Sequence, residues 1–346
     1  MGFCWVVLVP LLGTLASTTC REVRVRGRAN LPSGESERLP EVIRTTELSA
    51  TTFVDEEALK SRGVLLFRDL GLETPQDFSA FLETLRWPKL VLQGGGTVRS
   101  VLADGVRTAS DEPATHAIEP HQDMAHNPRY PRKLAFFMLR NDCHDGGGET
   151  ILTDMRAVTN QLRRDGVLDL FKDGGVTYKK ILFSEEDVKQ NSTFTWQRRL
   201  FAATKRDAEA SLATLPPGTT SYRWTGADEL HYEHTLPATV VHPDTGETLF
   251  FNGIHTNHRD YFDLAPHIDT SSGKSPYDTF FANGDTIDAT LLDHIRGVWW
   301  NNSIAVPFRT GDVAIVDNIL TGHGRMPWDP HKCTRKMLIA HLQGSS

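Results

Sequence analysis

The sequence predicts a mainly β protein with α decoration, built on a double-stranded β-helix, or jelly-roll, core with flanking helices. Short runs rich in β-branched and aromatic residues recur along the chain, Gly, Pro and Asn bound these runs, and helix signals are few. The four clearest predicted strands cover Lys133 to Leu139, Glu247 to Phe251, Asp312 to Val316 and Lys336 to Leu342.

Three segments carry helix signals. Thr74 is a predicted N-cap, Pro75 occupies the first helical position and Asp77 completes the capping pattern. A second helix is expected from about Asp154 to Arg164. The third follows Thr286, and its predicted apolar face contains Ile287, Leu291, Ile295 and Val298. These helices are expected to flank the sheets.

The N-terminus has the composition of a targeting segment. Residues 1–20 form an apolar run followed by small residues, which predicts a signal or organelle-targeting leader; without such targeting we expect a cytoplasmic protein. The run is too short to span a bilayer comfortably, so no membrane association is expected after its removal. No repeat or low-complexity linker divides residues 21–346, which are therefore expected to form a single domain.

Composition restricts the class of partner. The formal charge of −7 and the pI near 6.1 argue against a nucleic-acid partner, since binding phosphates needs a basic face. A small-molecule ligand is the expectation, and the sequence does not predict an oligomeric state.

The chain has four cysteines, at Cys4, Cys20, Cys143 and Cys333. They form no C-x-x-C pair, which indicates neither a zinc site nor a disulfide framework, and we expect free buried thiols.

His-x-acid triplets are candidate metal ligands. Two neutral imidazoles and one carboxylate on one face leave the other positions of iron(II) open to a cosubstrate and O₂. Chance predicts about two such triplets from the His and acidic content, and the chain has five, beginning at His121, His231, His242, His258 and His267. Spacing alone therefore cannot choose among them.

Context favours the first triplet. If His121 and Asp123 lie on one strand, alternation turns both to the same side and Gln122 away. The best rival is His231-Tyr-Glu-His234, for which a solvated surface segment is the preferred interpretation. Farther along, His323 follows a predicted buried strand, and Arg335 comes twelve residues later, where its guanidinium could grip a carboxylate at two points.

Several motifs in order resemble one family. Pro120-His121-Gln-Asp123-Met124, Gly146-Gly-Gly-Glu-Thr150, Asp317-Asn318 and His323-Gly-Arg325 resemble the TauD/TfdA family of iron(II)/2-oxoglutarate dioxygenases, and most closely its clavaminate synthase-like branch. The resemblance begins near Gly63, includes Gly94-Gly-Gly-Thr-Val-Arg99, and reaches the C-terminal strand. The branch often has Glu in place of Asp123, and either carboxylate can ligate iron.

The resemblance implies both a metal centre and a chemistry. Iron(II) would be held by His121, Asp123 and His323, and the far carboxylate of 2-oxoglutarate by Arg335 and Thr150. With O₂, the enzyme would oxidise a C–H bond of a small organic molecule by hydroxylation, desaturation or ring closure, releasing succinate and CO₂. A cupin-type metalloenzyme that does not use 2-oxoglutarate, and a catalytically silent jelly-roll binding protein, are the alternatives.

The resemblance also makes a prediction about substrate. Taurine-oxidising and clavaminate-forming relatives carry a second Arg four residues after the cosubstrate Arg, and this chain has Ile339 there. An anionic group placed against Ile339 would lose hydration without gaining a partner. Taurine is therefore not expected to be a substrate, and Met124, Asn127 and Asn252 are the predicted substrate contacts.

Overall fold

The computed structural model describes residues 41–44, 54–90, 99–110, 112–143, 147–186, 194–215, 220–226, 228–263 and 275–343. The predicted leader, residues 1–20, lies outside these ranges, and the prediction of a single domain over 21–346 stays a prediction. The helices in the described part are α1 (Glu56–Arg62), α2 (Pro75–Leu85), α3 (Met155–Arg164), α4 (Trp196–Leu200), α5 (Lys205–Leu212), α6 (Arg259–Asp263) and α7 (Ala289–Asn301), with a 3₁₀ turn at Leu168–Phe171.

Strands outnumber helices in the described part of the chain. They are β1 (Glu41–Arg44), β2 (Val64–Arg68), β3 (Val101–Ala103), β4 (Val106–Thr108), β5 (Ile118–His121), β6 (Lys133–Asn141), β7 (Thr150–Asp154), β8 (Val176–Leu182), β9 (Thr220–Thr225), β10 (Glu229–Leu236), β11 (Thr239–Val241), β12 (Thr248–Phe250), β13 (Tyr277–Phe281), β14 (Ser303–Val306), β15 (Val313–Asp317), β16 (Thr321–Arg325) and β17 (Arg335–Leu342). The prediction of a mainly β fold with a minority of helices is confirmed.

Two sheets carry the central part of the molecule. One has seven strands in the order β1-β2-β15-β6-β17-β4-β3, and the other has four in the order β14-β7-β16-β5. A second four-stranded sheet, β13-β8-β10-β9, is called the accessory sheet below, and β11 pairs with β12. All four segments predicted as strands contain a strand, with ends shifted by one or two residues.

Alternating side chains of β6 divide the core into layers. Leu134, Phe136 and Met138 belong to an apolar cluster that also contains Leu152 of the four-stranded sheet. Ala135 and Phe137 belong instead to a cluster that includes residues of α1 and α2. Since successive side chains of a strand point to opposite faces, the central strands are apolar on both. Each fully buried Phe or Leu contributes about 1.5–3 kcal/mol to folding.

The predicted helix starts are largely confirmed. Thr74 and Asp77 form a capping box at the start of α2, and Asp154 caps α3. The third helix begins at Ala289 with Asp288 as its cap, so Ile287 lies before the helix rather than on its apolar face. A carboxylate that accepts hydrogen bonds from the first free N–H groups begins the helix at that point.

Helix α7 packs against the strand that carries His323. A Cβ added to Gly322 would lie 2.5 Å from Cζ3 of Trp299, and one added to Gly324 would lie 2.6 Å from the carbonyl oxygen of Ile118. The missing side chain of Gly322 therefore allows β16 to lie close to α7, and that of Gly324 allows it to lie close to β5. This packing fixes the position of His323 between two elements.

Candidate active site

The turn after β5 positions Asp123. His121 is the last residue of β5, and Asp123 lies beyond it in a turn where Met124 has a φ of 60°. The side chain of Asn318 holds this turn: its Nδ2 donates to the carbonyl of Asp123, and its Oδ1 accepts from the Asp123 N–H, both at 2.9 Å. The expectation that His121 and Asp123 share a strand is wrong, because the chain leaves the sheet between them.

Gln122 is also oriented by a specific partner. Its side-chain nitrogen donates to the carbonyl of Ile319 at 2.9 Å, in a largely buried position. The residue between the two predicted ligands therefore ties the β5 turn to the segment that precedes β16, in addition to the Asn318 contacts. Two side-chain amides thus connect the turn to the segment formed by Asn318 and Ile319.

Strand pairing brings His323 to the same place. His323 of β16 lies directly opposite His121 of β5, and their ring centroids are 4.5 Å apart. The candidate ligand atoms of His121, Asp123 and His323 all lie within 4.8 Å of one another. The structure therefore brings together the three residues predicted to bind a metal, although His323 lies far along the sequence from His121 and Asp123.

The protonation states suit ligation of a divalent cation. Burial, followed by the neighbouring His121, lowers the pKa of His323 to about 3, so this imidazole is neutral. The Nδ1 of His121 lies 2.9 Å from the carbonyl of Glu119, an arrangement that leaves Nε2 free to bind a metal. Neither ring nitrogen of His323 has a hydrogen-bond partner among the described residues, and its Nδ1 is fully buried.

Asp123 is ionised by its surroundings. Burial alone would raise the pKa of this carboxyl, but Arg99 and His341 hold it well below its ordinary value. The Nη2 of Arg99 lies 3.2 Å from each carboxylate oxygen, and Nε2 of His341 lies 3.0 Å from Oδ2. One carboxylate and two imidazoles are the donor set that iron(II) takes in mononuclear oxygenases, so the residues fit this metal.

Arg335 and Thr150, predicted to bind the cosubstrate, lie in contact. Nη2 of Arg335 donates to Oγ1 of Thr150 at 3.1 Å, and its Nε donates to the carbonyl of Gly148 at 2.6 Å. Gly148 has a φ of 71°, and a Cβ there would lie 2.8 Å from Cδ of Arg335. Burial, followed by the neighbouring Arg325, lowers the pKa of Arg335, so a carboxylate at this position would stabilise the cation.

A disulfide lies next to this arginine. Cys143 and Cys333 are bonded, with Cα atoms 5.0 Å apart, and they also account for a second group of potential metal ligands with Asp142. The expectation of free thiols is wrong for this pair: Cys143 follows β6 and Cys333 precedes β17, and the pairing of these two strands brings the cysteines together across 190 positions. Cys4 and Cys20 lie outside the described residues.

A single cavity of about 560 Å³ connects these groups. The three candidate metal ligands, Thr150 and Arg335 form one group of lining residues, called the metal end. A second group of lining residues, called the aromatic wall, consists of Phe194, Tyr261, Phe262 and Tyr277. The wall comes from the segment before α4, from α6 and from the accessory sheet, and the sequence predicted a functional role for none of its four residues.

The predicted substrate contacts do not all reach this cavity. Met124 lines it, whereas Asn127 and Asn252 are not among the lining residues. The side chain of Asn252 is used within the fold, since it donates to the carbonyl of Ala238 and accepts from the N–H of Ile254. Ile339 is buried in the cluster between the two central sheets and does not line the cavity either.

The rival histidine segment, His231 to His234, is part of the accessory sheet. His231, Glu233 and His234 lie on β10 and form no metal-binding group in the part of the chain that the structure describes. The expectation of a solvated segment is wrong for Tyr232 and His234, which are buried because alternate residues of β10 face the interior.

Sequence reasoning also missed Arg99 and His341 as partners of Asp123. Arg99 ends the Gly-rich motif quoted above, which was the available signal.

The fold and site together define a class: mainly β proteins with a mononuclear metal centre formed by two histidines and one carboxylate. The family model "Taurine catabolism dioxygenase TauD, TfdA family" matches residues 45–341. The chain belongs to this family, and to its clavaminate synthase-like branch. Membership of this dioxygenase family makes it an enzyme that depends on iron(II), 2-oxoglutarate and O₂, and the grouping of His121, Asp123 and His323 fits that metal.

Several known proteins resemble this chain in sequence or in structure. Dapdiamide synthesis protein DdaC of Enterobacter agglomerans is 28% identical over 288 residues, covering 82% of this chain and 84% of the relative. A clavaminate synthase-like protein of Arabidopsis thaliana is 23% identical over 281 residues, covering 80% and 81%. Among solved structures, PvcB of Pseudomonas aeruginosa matches with a TM-score of 0.48 and 14% identity, over 88% of this chain and 87% of PvcB. In the described part of the chain, no helix combines the length and apolarity needed to cross a membrane.

Proposed function

We propose that this dioxygenase oxidises a C–H bond of a small organic molecule, with His121, Asp123 and His323 as the iron ligands. One observation carries the proposal: the ligand atoms of these three residues lie within 4.8 Å of one another, in the same cavity as Arg335 and Thr150. In the simplest outcome, substrate R–H, 2-oxoglutarate and O₂ give R–OH, succinate and CO₂. Desaturation and ring closure are the other outcomes of the same hydrogen abstraction.

The protein positions the metal ligands and the cosubstrate, and it excludes water from the site. Bound iron(II) supplies the oxidising chemistry, so no separate general acid or base is needed. Asn318 and Arg99 orient Asp123, one through its backbone and one through its carboxylate. Arg335 and Thr150 would bind the far carboxylate of 2-oxoglutarate by charge-assisted hydrogen bonds. The aromatic wall shields the substrate side from solvent.

We also infer a jelly-roll core, a single catalytic domain over residues 21–346 and a location in an oxidising compartment. Support for the core comes from the antiparallel pairing within the four-stranded sheet β14-β7-β16-β5, packed against the larger sheet. Support for the compartment comes from the leader-like composition of residues 1–20 and from the Cys143–Cys333 disulfide, since disulfides persist in oxidising environments. Expression of the full chain in cells and N-terminal sequencing of the mature protein test both the leader and the location.

The catalytic proposal is tested by anaerobic titration. Iron(II) and 2-oxoglutarate are added to the folded protein, and the weak visible charge-transfer band of their chelate is recorded. We expect the band in the wild type and its loss in His323→Ala. Iron binding without the band would favour the cupin-type alternative, and no iron binding would favour a silent binding protein.

A further inference from the structure

The strand that carries His121 has a neighbouring strand on one side only. β5 is the last strand of the sheet β14-β7-β16-β5, and among the described residues it pairs with β16 alone. Its register against β16 shifts between the pairs His121–His323 and Ile118–Arg325. A short ladder with such an irregularity fixes a strand less firmly than the regular pairing on both sides of a central strand. Other elements must therefore help to fix the position of β5.

Two buried side chains bind the residues that immediately precede His121. Nε2 of His255 lies 2.8 Å from the carbonyl oxygen of Pro120, and Nε of Arg296 donates to Oε2 of Glu119 at 3.2 Å. His255 is 1% exposed and Arg296, on α7, is 4% exposed. Nη2 of Arg296 also donates to the backbone carbonyl of His255 at 3.1 Å, which links the two contacts.

These contacts reach the ring of His121 through its neighbours. Nδ1 of His121 lies 2.9 Å from the carbonyl oxygen of Glu119, the residue whose carboxylate accepts from Arg296. The partner of the second ring nitrogen sets the orientation of a metal-binding imidazole. A displacement of Glu119 would therefore turn the ring, and Arg296 acts on His121 through this residue.

The imidazole of His255 makes one directed hydrogen bond. Burial, followed by Arg296, lowers the pKa of His255 to about 3, so the ring is neutral and carries a single N–H. Since a carbonyl oxygen only accepts, this proton lies on Nε2 and is donated to Pro120. Nδ1 is buried and has no hydrogen-bond partner among the described residues.

Helix α7 also contacts the strand of the other imidazole. Trp299 lies three residues after Arg296 and packs against Gly322, which precedes His323. The ring centroid of Trp299 lies 4.9 Å from that of His255. The helix therefore contacts β5 through Arg296 and β16 through Trp299, so one rigid element sets the relative position of the two strands.

We propose that Arg296 and His255 are positioning residues of the metal centre, which hold Glu119 and Pro120 so that the His121 imidazole keeps its orientation. The inference rests on the proposed function, because it takes His121 to be a metal ligand. Apolar side chains of similar size would fill the same space without loss of stability, since a buried ion pair and a half-satisfied imidazole are unfavourable to bury. Hydrogen bonds impose a direction that apolar packing does not, and this direction explains why polar groups stand here.

The test measures the affinity of the metal-free protein for cobalt(II), whose visible absorption spectrum reports the coordination geometry. Arg296→Met should lower this affinity by about tenfold or more and alter the spectrum, because loss of a group behind a metal ligand typically costs about 10–100-fold. Arg68→Met is the matched control. Arg68 is also buried, its Nε lies 3.3 Å from Oδ2 of Asp312, and neither residue lines the cavity. The control should keep the affinity and the spectrum of the wild type.

Two variants of His255 separate hydrogen bonding from packing. A Gln side chain can donate an N–H to the Pro120 carbonyl, whereas a Leu side chain fills the space without a donor. His255→Gln should therefore retain most of the cobalt(II) affinity that His255→Leu loses. Equal affinity in these two variants would overturn the inference, and this comparison decides the matter even if Arg296→Met does not fold.

Thermal unfolding distinguishes a positioning role from a structural one. A lowered Tm with wild-type cobalt(II) affinity in Arg296→Met would assign Arg296 a structural role and overturn the inference. An equal loss of affinity in Arg68→Met would do the same, because the effect would then follow from general destabilisation. Failure of the proposed function is distinct, since it would appear as unchanged cobalt(II) affinity in His323→Ala.

Discussion

The metal end and the aromatic wall are built in different ways. The metal end lies on strands of the two central sheets, where backbone pairing places His323 opposite His121 and side-chain amides hold the turn that carries Asp123. The aromatic wall lies on short helices and on the accessory sheet, where the buried Lys180 contacts the Tyr277 ring and the buried Arg199 contacts the Phe194 ring. A fixed reaction needs fixed geometry, whereas the substrate side can vary between relatives without disturbing the metal.

The largest effect is expected at the metal end. Replacing His121, Asp123 or His323 by Ala should lower iron affinity by more than about 100-fold, since loss of an outer-sphere partner alone costs 10–100-fold. Two ligands cannot hold the metal in a facial geometry. Equilibrium dialysis with iron(II) measures the affinity, and circular dichroism verifies the fold. Full 2-oxoglutarate turnover in any one variant would refute the ligand assignment.

A smaller effect is expected from Arg335→Lys. A single ammonium cannot reproduce the planar two-point grip of a guanidinium, so the KM for 2-oxoglutarate should rise roughly 10–100-fold, which corresponds to about 1.5–3 kcal/mol. Little loss of stability is expected. Arg140→Lys is a matched control, because Arg140 lies on the neighbouring strand β6, bonds Asp142 and does not line the cavity. An unchanged KM in Arg335→Lys would transfer the role to Arg325 or Lys332.

The Cys143–Cys333 disulfide distinguishes the metal end from the aromatic wall, because it lies beside residues of the metal end alone. It joins the loop before Gly148 to the loop before Arg335, and Gly148 accepts a hydrogen bond from Arg335. The double variant Cys143→Ser, Cys333→Ser should lose about 2–4 kcal/mol of unfolding free energy. It should also raise the KM for 2-oxoglutarate, because Gly148 and Arg335 both lie a few residues from the bond. Chemical denaturation and steady-state kinetics measure the two effects separately, and a KM equal to that of the wild type would uncouple the disulfide from the cosubstrate site.

The smallest effect is expected from taurine. Ile339 lies in the cluster between the central sheets, so no cation is available at this position for a sulfonate. Addition of taurine should leave the rate of succinate release at its background value. Ile339→Arg should not create taurine oxidation, since an unpaired guanidinium in this cluster would destabilise the fold by several kcal/mol. Succinate release coupled to taurine consumption in the wild type would contradict the prediction.

The metal end could be predicted from the sequence and the aromatic wall could not. Ordered motifs identify His121, Asp123, His323, Thr150 and Arg335, because their chemistry restricts the residue types. Phe194 and Tyr277 are ordinary aromatic residues in sequence, and they become a wall only when the accessory sheet folds beside α4. The expectation that His121 and Asp123 share one strand failed for a local reason, because the turn at Met124 takes Asp123 out of β5.

One further register effect escaped prediction. The pairing of β17 with β6 shifts between Lys336 and Met337, because Leu139 of β6 has no partner on β17. Met337, Ile339 and the inward residues of β6 form one cluster beyond this shift. A strand bulge is set by its partner strand, and therefore no pattern within β17 alone reveals it.

The Cys143–Cys333 bond also determines how the chain is connected after cleavage. It closes a covalent ring that contains His323 and the whole accessory sheet, while His121 and Asp123 lie on the chain outside the ring. A single peptide bond cut between residues 144 and 332 therefore opens the ring but separates no fragment. On a gel, such a nicked protein would migrate as one species without reductant and as two with it, and the metal ligands would stay on one covalent assembly.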